Sequence, residues 1–450
     1  MKASLVHPIF DVWCTNVISS AIPGFPTRLA EERILRLVQS ACKSSGFYRS
    51  KYKDALKTNA PFHEYPTINK QEMMDHFDEI MSDKNIKLKD VKDFISSEQN
   101  IGKRFLDKYY VWESSGTNGL QGIYLQDDDS INIYQALEAC RRPPESLCSQ
   151  LMYETLGIEK IAFIGALNKH YASTASIAIL KTRYPRLERV IKEFSIFDPI
   201  DKLVSELNQY QPSVLTTYPS MILSLIENAD LKIHPRELWL GGESLSHLQR
   251  EHIESKLGTT IYNSYGASEF LPIAWECAEG HLHVNADWVL LEAVDSQYAP
   301  VASGEQSMTT LLTNLANHVQ PIIRYDLGDS VSYATEPCTC GSKLPHLAIM
   351  GRANEILTFN SSKGDRVTIS ALTLIGLIEE QGIFNASLGQ TSNSSIQIYI
   401  SSGDPPNSEQ INAVTTSIRN FLGLNTIDGV VIRCSNKRRK LNPSSGKLAL

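Results

Sequence analysis

A short run rich in serine, threonine and glycine, Glu113–Gly119 (ESSGTNG), is the first group of residues in the chain whose types and spacing together suggest a chemical function. It directly follows the apolar run Tyr109–Trp112. Glycines allow several backbone N–H groups to converge on one point, and the hydroxyls add further donors. Such a nest binds anions, and a polyphosphate is a common occupant. The same composition is also typical of a simple turn, so its meaning depends on the rest of the chain.

Three cysteines and one histidine form a second group of candidate functional residues. Cys338 and Cys340 lie in a tight C-x-C-G turn, and Cys277 and His283 lie in the stretch CAEGHLH. Three thiolates and one imidazole suit the tetrahedral coordination of zinc. His281 is the alternative fourth ligand, because alternate residues of a strand point to the same face. Buried, reduced thiols without a metal are the other interpretation.

The composition of the 450 residues is that of an ordinary globular protein, with 42% hydrophobic and 21% charged residues. The length predicts two or more domains. A net charge of −7 argues against nucleic acid or an anionic membrane as the main partner. No apolar run reaches the ~18 residues that span a bilayer, and no signal peptide is recognisable. Together with mostly scattered cysteines, these features predict a cytoplasmic protein.

The order of apolar and helical segments predicts an α/β fold. Residues 1 to about 100 have helical patterns, and beyond them short apolar runs alternate with helices, which favours layers around a largely parallel sheet. After Glu269 the pattern becomes richer in strands, with β-type runs such as Pro321–Arg324. We predict a large N-terminal domain over residues 1–351, with a β-rich subdomain, and a small mobile α+β lid domain over residues 352–450.

Five stretches of the chain, in this order, resemble the adenylate-forming superfamily of acyl-CoA synthetases, adenylation domains and luciferases. They are SSGTNG (114–119), NSYGASE (263–269), TNLANHVQPIIRYDLGD (313–329), GRANE (351–355) and SSGKLAL (444–450). The resemblance covers roughly residues 110–450 and is greatest to the phenylacetate-CoA ligase-like branch. It implies that ATP and Mg²⁺ activate a carboxylic acid, aromatic in this branch, as an acyl-AMP, and that the acyl group then passes to coenzyme A.

The resemblance implies a nucleotide site. The residues expected at the phosphates are Ser114, Ser115, Gly116, Thr117, Asn118 and Gly119, and those expected around the adenine are Gly241, Gly242, Glu243, Asn263, Ser264, Tyr265, Gly266 and Ala267. Ser268 is expected to contact the α-phosphate, and Glu269 to bind Mg²⁺, a cation that takes carboxylate and phosphate oxygens together. Asp329 and Arg352 are expected to bind the ribose hydroxyls.

The resemblance also implies catalytic, hinge and substrate residues. Lys447 matches the mobile lysine that bridges the carboxylate and the α-phosphate, and rotation of the whole lid would deliver it. Asn354 occupies the position of the hinge between the two domains. His170 is expected near the acyl carboxylate, with a packed core histidine as the alternative. The other residues expected in the substrate pocket are Tyr171, Tyr218, Pro219 and Gly266.

Departures from the family pattern leave alternatives open. Asn118 replaces a serine or threonine, Leu120–Gly122 lacks a lysine that many relatives carry, and Asn354 replaces the usual aspartate or lysine. A nucleotide-binding sensor without catalysis is therefore one alternative. Two others are transfer to the phosphopantetheine of an acyl carrier protein in a natural-product pathway, and a reaction that stops at adenylation, as in synthetases that leave AMP on a deazaflavin coenzyme. A monomer and a homodimer are equally compatible with the sequence.

Overall fold

A computed structural model describes residues 6–21, 24–114, 120–141, 160–352, 356–400 and 406–435. The chain forms two compact units. The first contains the described parts of residues 1–159, 167–190 and 263–349, and the second those of residues 160–166, 191–262 and 350–450. The boundary expected after residue 351, between the N-terminal domain and a mobile lid, stays a prediction.

The described residues form fourteen α-helices, which are distributed along the chain. They are α1 (Val6–Ala21), α2 (Phe25–Ser44), α3 (Gly46–Lys51), α4 (Lys53–Thr58), α5 (Lys70–Asp75), α6 (Phe77–Ile80), α7 (Leu88–Ile95), α8 (Asp128–Arg141), α9 (Ala172–Arg183), α10 (Ile200–Tyr210), α11 (Pro219–Ile226), α12 (His247–Leu257), α13 (Ala371–Glu379) and α14 (Ser408–Leu424). No helix within these ranges is long and apolar enough to cross a membrane.

The strands begin after the first seven helices, as the change of sequence pattern near residue 105 predicts. They are β1 (Arg104–Phe105), β2 (Tyr109–Glu113), β3 (Ile123–Gln126), β4 (Ile161–Gly165), β5 (Ile191–Ser195), β6 (Val214–Thr217), β7 (Glu237–Gly241), β8 (Thr260–Ala267), β9 (Phe270–Glu276), β10 (Leu282–Val284), β11 (Val289–Val294), β12 (Thr309–Asn314), β13 (Tyr325–Asp326), β14 (Asp329–Tyr333), β15 (His346–Arg352), β16 (Ile356–Asn360), β17 (Arg366–Ser370), β18 (Ala386–Ser392), β19 (Ser395–Ile400) and β20 (Val431–Ser435).

Parallel strands lie at the centre of the second unit. β7, β6, β4 and β5 are adjacent in this order, and each neighbouring pair is parallel. α10 and α11 connect successive strands, since parallel neighbours require a crossover of this kind. α12 follows β7 and begins with a capping box, in which Ser246 and Gln249 satisfy each other's backbone N–H groups. The predicted mixed α/β fold is thereby confirmed.

The residues of the second unit that follow residue 356 have a hydrophobic core of their own. β16 and β17 form a hairpin, while β18, β19 and β20 form a separate sheet. Leu374 and Ile378 of α13 pack with Val414 and Ile418 of α14 in this core, and all four are fully buried. A separate core is what the predicted lid domain needs in order to move as one body.

Antiparallel pairs connect the strands of the first unit. β2 pairs with β1 and β3, β9 pairs with β8 and β10, and β12 pairs with β11 and β13. The expected strand at Pro321–Arg324 is wrong. Arg324 has a φ of 48°, in the left-handed region, and proline has no N–H for a strand hydrogen bond, so regular pairing starts only at Tyr325.

Candidate active site

The expected phosphate loop connects β2 to β3 in a hairpin. Ser114 closes its base, because its backbone N–H donates to the Gly122 carbonyl at 2.8 Å and its Oγ accepts from the Gly122 N–H at 2.9 Å. Ser114 is buried. The other five residues of the expected loop, Ser115–Gly119, lie outside the described residues. The structure therefore describes β2, β3 and the base of the hairpin that they form, which we call the phosphate hairpin.

The two residues expected at the α-phosphate and at Mg²⁺ form the turn between β8 and β9. Ser268 and Glu269 follow Ala267, which pairs with Phe270. A Cβ on Gly266 would collide with the carbonyl oxygen of Leu271, so only glycine fits at this irregularity of the strand pair. Glycine at this position thus lets the chain turn tightly before Ser268.

Three side chains from other elements hold this turn. The indole N–H of Trp112 donates to the Ser268 carbonyl at 2.8 Å, and the amide of Asn314 donates to the Glu269 carbonyl at 2.8 Å. The Tyr124 hydroxyl donates to Oε1 of Glu269 at 2.5 Å. Glu269 is only 5% exposed, so its carboxylate has a fixed position in the first unit.

The expected adenine and ribose residues Tyr265 and Asp329 contact each other. The Tyr265 hydroxyl donates to Oδ2 of Asp329 at 2.7 Å, and Thr310 Oγ1 donates to the Asp329 carbonyl at 2.6 Å. The two residues are 64 positions apart in the sequence. The hydrogen bond fixes one carboxylate oxygen, and an ionised carboxylate has further acceptor sites for a diol.

Within the RYDLGD stretch, the other two charged residues, Arg324 and Asp326, also have defined partners. Arg324 pairs with Glu292 at 3.1 Å and is buried. Asp326 accepts from Thr309 Oγ1 at 2.5 Å and from the Gly328 N–H at 3.1 Å, which shapes the turn. These contacts account for Arg324 and Asp326 as structural residues.

The preceding TNLANHVQ segment contains two fully buried amides, Asn317 and Gln320, that connect it to β3. The Asn317 amide donates to the Leu125 carbonyl at 2.7 Å. Gln320 donates to the Ile123 carbonyl at 2.9 Å and accepts from the Leu125 N–H at 2.8 Å. Buried amides are stable only when hydrogen-bonded in this way. Asn317 and Gln320 therefore connect β3 to the segment whose Asn314 supports Glu269.

Sequence reasoning missed Trp112, Tyr124 and Asn314 as parts of the site. Each is adjacent to an expected motif or inside one, which is the signal that could have identified them. Their partners, however, lie 156, 145 and 45 positions away.

Asn263 has one oxygen that the fold leaves unused. Its backbone N–H donates to Glu276 at 2.7 Å, while its buried Oδ1 has no hydrogen-bond partner within the described part of the chain. Ser264 follows it on β8. Asn263 therefore keeps an acceptor in the strand that leads to Tyr265.

In the second unit, the structure brings Glu243 to the pocket candidates Tyr218 and Pro219. Tyr218 is the N-cap of α11, and Pro219 is its first residue. Oε2 of Glu243 accepts from the Ser220 N–H at 3.0 Å, so its charge lies at the N-terminus of α11. Its Oε1 is buried without a partner among the described residues. Gly242 has a φ of 77°, which glycine adopts without strain.

The C-terminal candidates fall at the edges of what is described. Gly351 and Arg352 end β15, and Gly351 has a φ of 115°. Arg352 is exposed. The expected hinge Asn354 and the expected catalytic Lys447 lie outside the described residues.

His170 is a packed histidine with one hydrogen-bonded nitrogen. It is 1% exposed, and its Nε2 lies 3.0 Å from the Ser97 carbonyl, a contact in which Nε2 must be the donor. Its Nδ1 has no partner in the described part of the molecule. Its carbonyl accepts from the Glu113 N–H at 2.7 Å, and the neighbouring Tyr171 is buried and bridges to Glu113.

A cavity of about 700 Å³ in the first unit adjoins His170 and the base of the phosphate hairpin. Its polar lining includes Lys92, Glu98, Glu113, Lys169 and His170. Burial raises the pKa of Glu113, and the nearby Lys169 and His170 partly oppose that shift. The volume is within the range of small-molecule sites, ~300–1,000 Å³.

The structure brings together the four residues expected to bind zinc. The ligand atoms of Cys277, His283, Cys338 and Cys340 all lie within 4.8 Å of one another. Cys277 Sγ is 3.8 Å from Cys338 Sγ, and Cys340 Sγ is 3.3 Å from His283 Nε2. In a tetrahedral zinc site two sulfurs lie about 3.8 Å apart, and a sulfur and a nitrogen about 3.6 Å apart. The donor set and its spacing therefore fit zinc.

A contact outside this cluster selects the nitrogen of His283 that faces it. Nδ1 of His283 lies 2.9 Å from the Leu344 carbonyl and donates to it, which leaves the lone pair of Nε2 free toward Cys340. The alternative ligand His281 is also near, with Nδ1 3.2 Å from Cys338 Sγ. The hydrogen bond to Leu344 orients the ring of His283 with Nε2 toward the cluster, and this orientation favours His283 over His281 as the fourth ligand.

The sequence of the chain is similar in part to two curated proteins. No family model matches the chain. Its sequence is 26% identical to Protein CapK of Staphylococcus aureus over 233 residues, which are 50% of this chain and 49% of that protein. It is 28% identical to the phenylacetate-coenzyme A ligase of Escherichia coli (strain K12) over 169 residues, 35% of this chain and 38% of that enzyme. The chain thus matches about half the length of these curated relatives or less.

Solved structures extend the likeness to nearly the whole chain. A 2-hydroxyisobutyryl-CoA ligase in the postadenylation state superposes with a TM-score of 0.65 at 17% identity, over 91% of this chain and 86% of that one. A benzoate CoA ligase from Burkholderia xenovorans LB400 superposes with a TM-score of 0.54 at 13% identity, over 77% and 68%. The resemblance predicted from the motifs is confirmed: the chain has the fold of the adenylate-forming superfamily, and its sequence is similar to the phenylacetate-CoA ligase-like branch.

Proposed function

We propose that the protein is an AMP-forming ligase that activates a carboxylic acid with ATP and transfers the acyl group to the thiol of coenzyme A. One arrangement carries the proposal. Ser268 and Glu269, expected at the α-phosphate and Mg²⁺, are fixed by side chains of the two strands that form the phosphate hairpin. The turn of the NSYGASE motif is therefore hydrogen-bonded to the strands on both sides of the SSGTNG stretch and to Asn314 of the TNLANHVQPIIRYDLGD motif, all within the first unit.

In this reaction the main contributions of the protein are to position the reacting groups and to neutralise charge. A substrate carboxylate oxygen attacks the α-phosphorus of ATP, pyrophosphate leaves, and an acyl-AMP remains. Such phosphorus chemistry depends on alignment and on electrostatic stabilisation of the charge that develops in the transition state. Fixed donors and a fixed carboxylate serve this purpose, because they do not have to reorganise during the reaction.

The environment of Glu269 fits a magnesium ligand. Mg²⁺ commonly binds one or two carboxylates together with substrate phosphates and water, so a single glutamate is sufficient. Oε1 of Glu269 is held by Tyr124, which limits the directions that Oε2 can take. When bound, the cation would neutralise phosphate charge, while Ser268 and the hairpin would orient the phosphates.

Two further acceptors support nucleotide binding. The buried Oε1 of Glu243 in the second unit matches a donor such as the exocyclic amine of adenine. The contact between Tyr265 and Asp329 in the first unit fits recognition of a ribose diol. The contact between Tyr265 and Asp329 is the observation that supports ATP over a simple anion as the ligand.

The acid is proposed from the branch and from the cavity. The branch favours an aromatic acid, whereas the described residues that line the cavity include no phenylalanine, tyrosine or tryptophan. Aliphatic side chains share the lining with the charged groups, namely Met74, Leu88, Ile95, Leu120 and Ile123. Both aryl acids and short acyl acids therefore belong in the first substrate panel.

Pyrophosphate release with ATP, Mg²⁺ and that panel, with and without coenzyme A, tests the proposal. We expect release with one acid class and stimulation by coenzyme A. Release that coenzyme A does not affect would indicate a carrier protein or another acceptor. ATP binding without release for any acid would indicate the sensor.

Two variants connect the measured activity to this site. Glu269→Gln should lose acid-dependent pyrophosphate release, because it removes the negative charge expected to bind Mg²⁺. Glu305→Gln, at an exposed carboxylate of the same unit, should keep wild-type activity and is the matched control.

A further inference from the structure

Two fully buried aromatic residues face each other across the phosphate hairpin. Trp112 on β2 is the direct cross-strand partner of Tyr124 on β3. Directly opposed residues of an antiparallel pair lie on the same face of the sheet. One therefore stands on the strand that enters the phosphate loop, and the other on the strand that leaves it.

This pair contacts two consecutive residues of another element. Trp112 donates to the Ser268 carbonyl at 2.8 Å, and Tyr124 donates to the Glu269 carboxylate at 2.5 Å. Ser268 and Glu269 form the turn between β8 and β9. The pairing of β2 with β3 fixes the positions of Trp112 and Tyr124 relative to each other. Their two hydrogen bonds therefore fix the position of the turn relative to the hairpin.

The surroundings of Tyr124 are adapted to this contact. Its hydroxyl lies 3.3 Å from that of Tyr325, in the motif that ends at Asp329. A carboxylate oxygen can only accept, so the Tyr124 hydroxyl is the donor in its contact with Glu269. A Cβ on Gly122 would collide with this hydroxyl, so glycine at position 122 leaves the space that the phenol occupies.

We propose that Trp112 and Tyr124 are positioning residues that hold Ser268 and Glu269 in register with the phosphate hairpin. The Tyr124 hydroxyl holds Oε1 of Glu269, so that Oε2 would be the oxygen available to bind Mg²⁺. This inference rests on the proposed function, since it assigns Glu269 to Mg²⁺. Loss of a partner that orients a metal ligand weakens metal binding by about 10–100-fold.

Tyr124→Phe tests the inference with the loss of one oxygen atom. Titration calorimetry of ATP binding at a series of Mg²⁺ concentrations, without any acid, measures the metal-dependent affinity directly. We expect that affinity to fall by about 10–100-fold. The KM of the acid should stay at the wild-type value, because the lost hydroxyl contacts Glu269 and not the acid.

Tyr48→Phe is the matched control. Tyr48 is also fully buried in the first unit, and its hydroxyl donates to the Pro321 carbonyl at 2.8 Å. This control should lower the melting temperature without changing the Mg²⁺ dependence. If Tyr124→Phe likewise lowers only the melting temperature, the role assigned to Tyr124 is overturned.

Two more variants separate the inference from the proposed function. Gly122→Ala keeps the Tyr124 hydroxyl but displaces it, and should weaken Mg²⁺-dependent ATP binding in the same way. Glu269→Gln should weaken that binding at least as much as Tyr124→Phe does. Wild-type binding by Glu269→Gln would overturn the magnesium site itself, whereas a defect in Glu269→Gln without one in Tyr124→Phe would overturn only the positioning role.

Discussion

Replacement of Cys338 and Cys340 in the proposed zinc site of Cys277, His283, Cys338 and Cys340 should abolish zinc binding and lower the stability of the protein. Cys277 and His283 lie around the start of β10, while Cys338 and Cys340 lie in a distant turn, so a bound metal would cross-link the two segments. Cys277 and Cys338 are 61 positions apart. We therefore expect the double variant Cys338→Ser/Cys340→Ser to lose the metal together with its cross-link.

The size of the stability loss follows from the length of the closed loop. Closing a loop of about 60 residues removes unfolded-state entropy worth about 4 kcal/mol, by the same argument that applies to a disulfide. At about 2–4 °C per kcal/mol for a unit of this size, the melting temperature should fall by about 8–16 °C. Chelation of the wild-type protein should cause a loss of similar size, because it removes the same cross-link.

Metal analysis and thermal unfolding of undepleted protein are the assays. Wild type should contain one zinc per chain, and the double variant should contain almost none. Cys42→Ser/Cys140→Ser removes two half-buried thiols of the same unit that lie outside the cluster, and should keep its zinc. His283→Ala should lose zinc and His281→Ala should keep it, because the Leu344 contact orients only His283 in this way.

Two results would refute this reasoning. Wild-type protein with well below one zinc per chain would show that the four residues are reduced thiols and a packed histidine. A double variant that retains full zinc would show that the metal binds elsewhere.

Three further predictions concern the site and the C-terminal part of the chain. Lys447→Ala should lose ~10²–10³-fold in acid-dependent pyrophosphate release, the scale of one lost transition-state donor, and near-normal release would contradict its role. Tyr265→Phe removes a hydrogen bond to the Asp329 carboxylate and should raise the KM of ATP by about tenfold or more while the KM of the acid stays constant; an unchanged KM for ATP would separate this contact from nucleotide binding. Burial raises the pKa of Glu379 above 4.5, so the native state holds that proton more tightly and stability falls as pH rises through this raised pKa. Glu379→Gln should therefore stabilise the protein at pH 7 but not below pH 4 when urea midpoints are compared, and an equal effect at both pH values would contradict this assignment.

The sequence by itself determined the type of fold and the chemistry of most candidate residues. Alternating strand and helix patterns predicted the α/β architecture, because periodicity is a local property of the chain. The glycine-rich stretch and the cysteines were candidates because their residue types restrict the ligands that they can bind, whereas Glu269 and Asp329 were identified through the resemblance to the adenylate-forming superfamily. Donor chemistry indicated the three cysteines and left His283 and His281 as alternative fourth ligands, and the fold places the ligand atoms of Cys277, His283, Cys338 and Cys340 together.

Only the tertiary structure decided how these residues are held. Trp112 lies in an apolar run of the sequence and Tyr124 lies outside every motif, and their contacts with Ser268 and Glu269 span 156 and 145 positions. The hydrogen bond from His170 to Ser97 spans 73 positions in the same way. Contacts of this kind depend on strand register and on the packing of distant segments. A pattern within a window of neighbouring residues contains no information about either, so only the folded chain determines them.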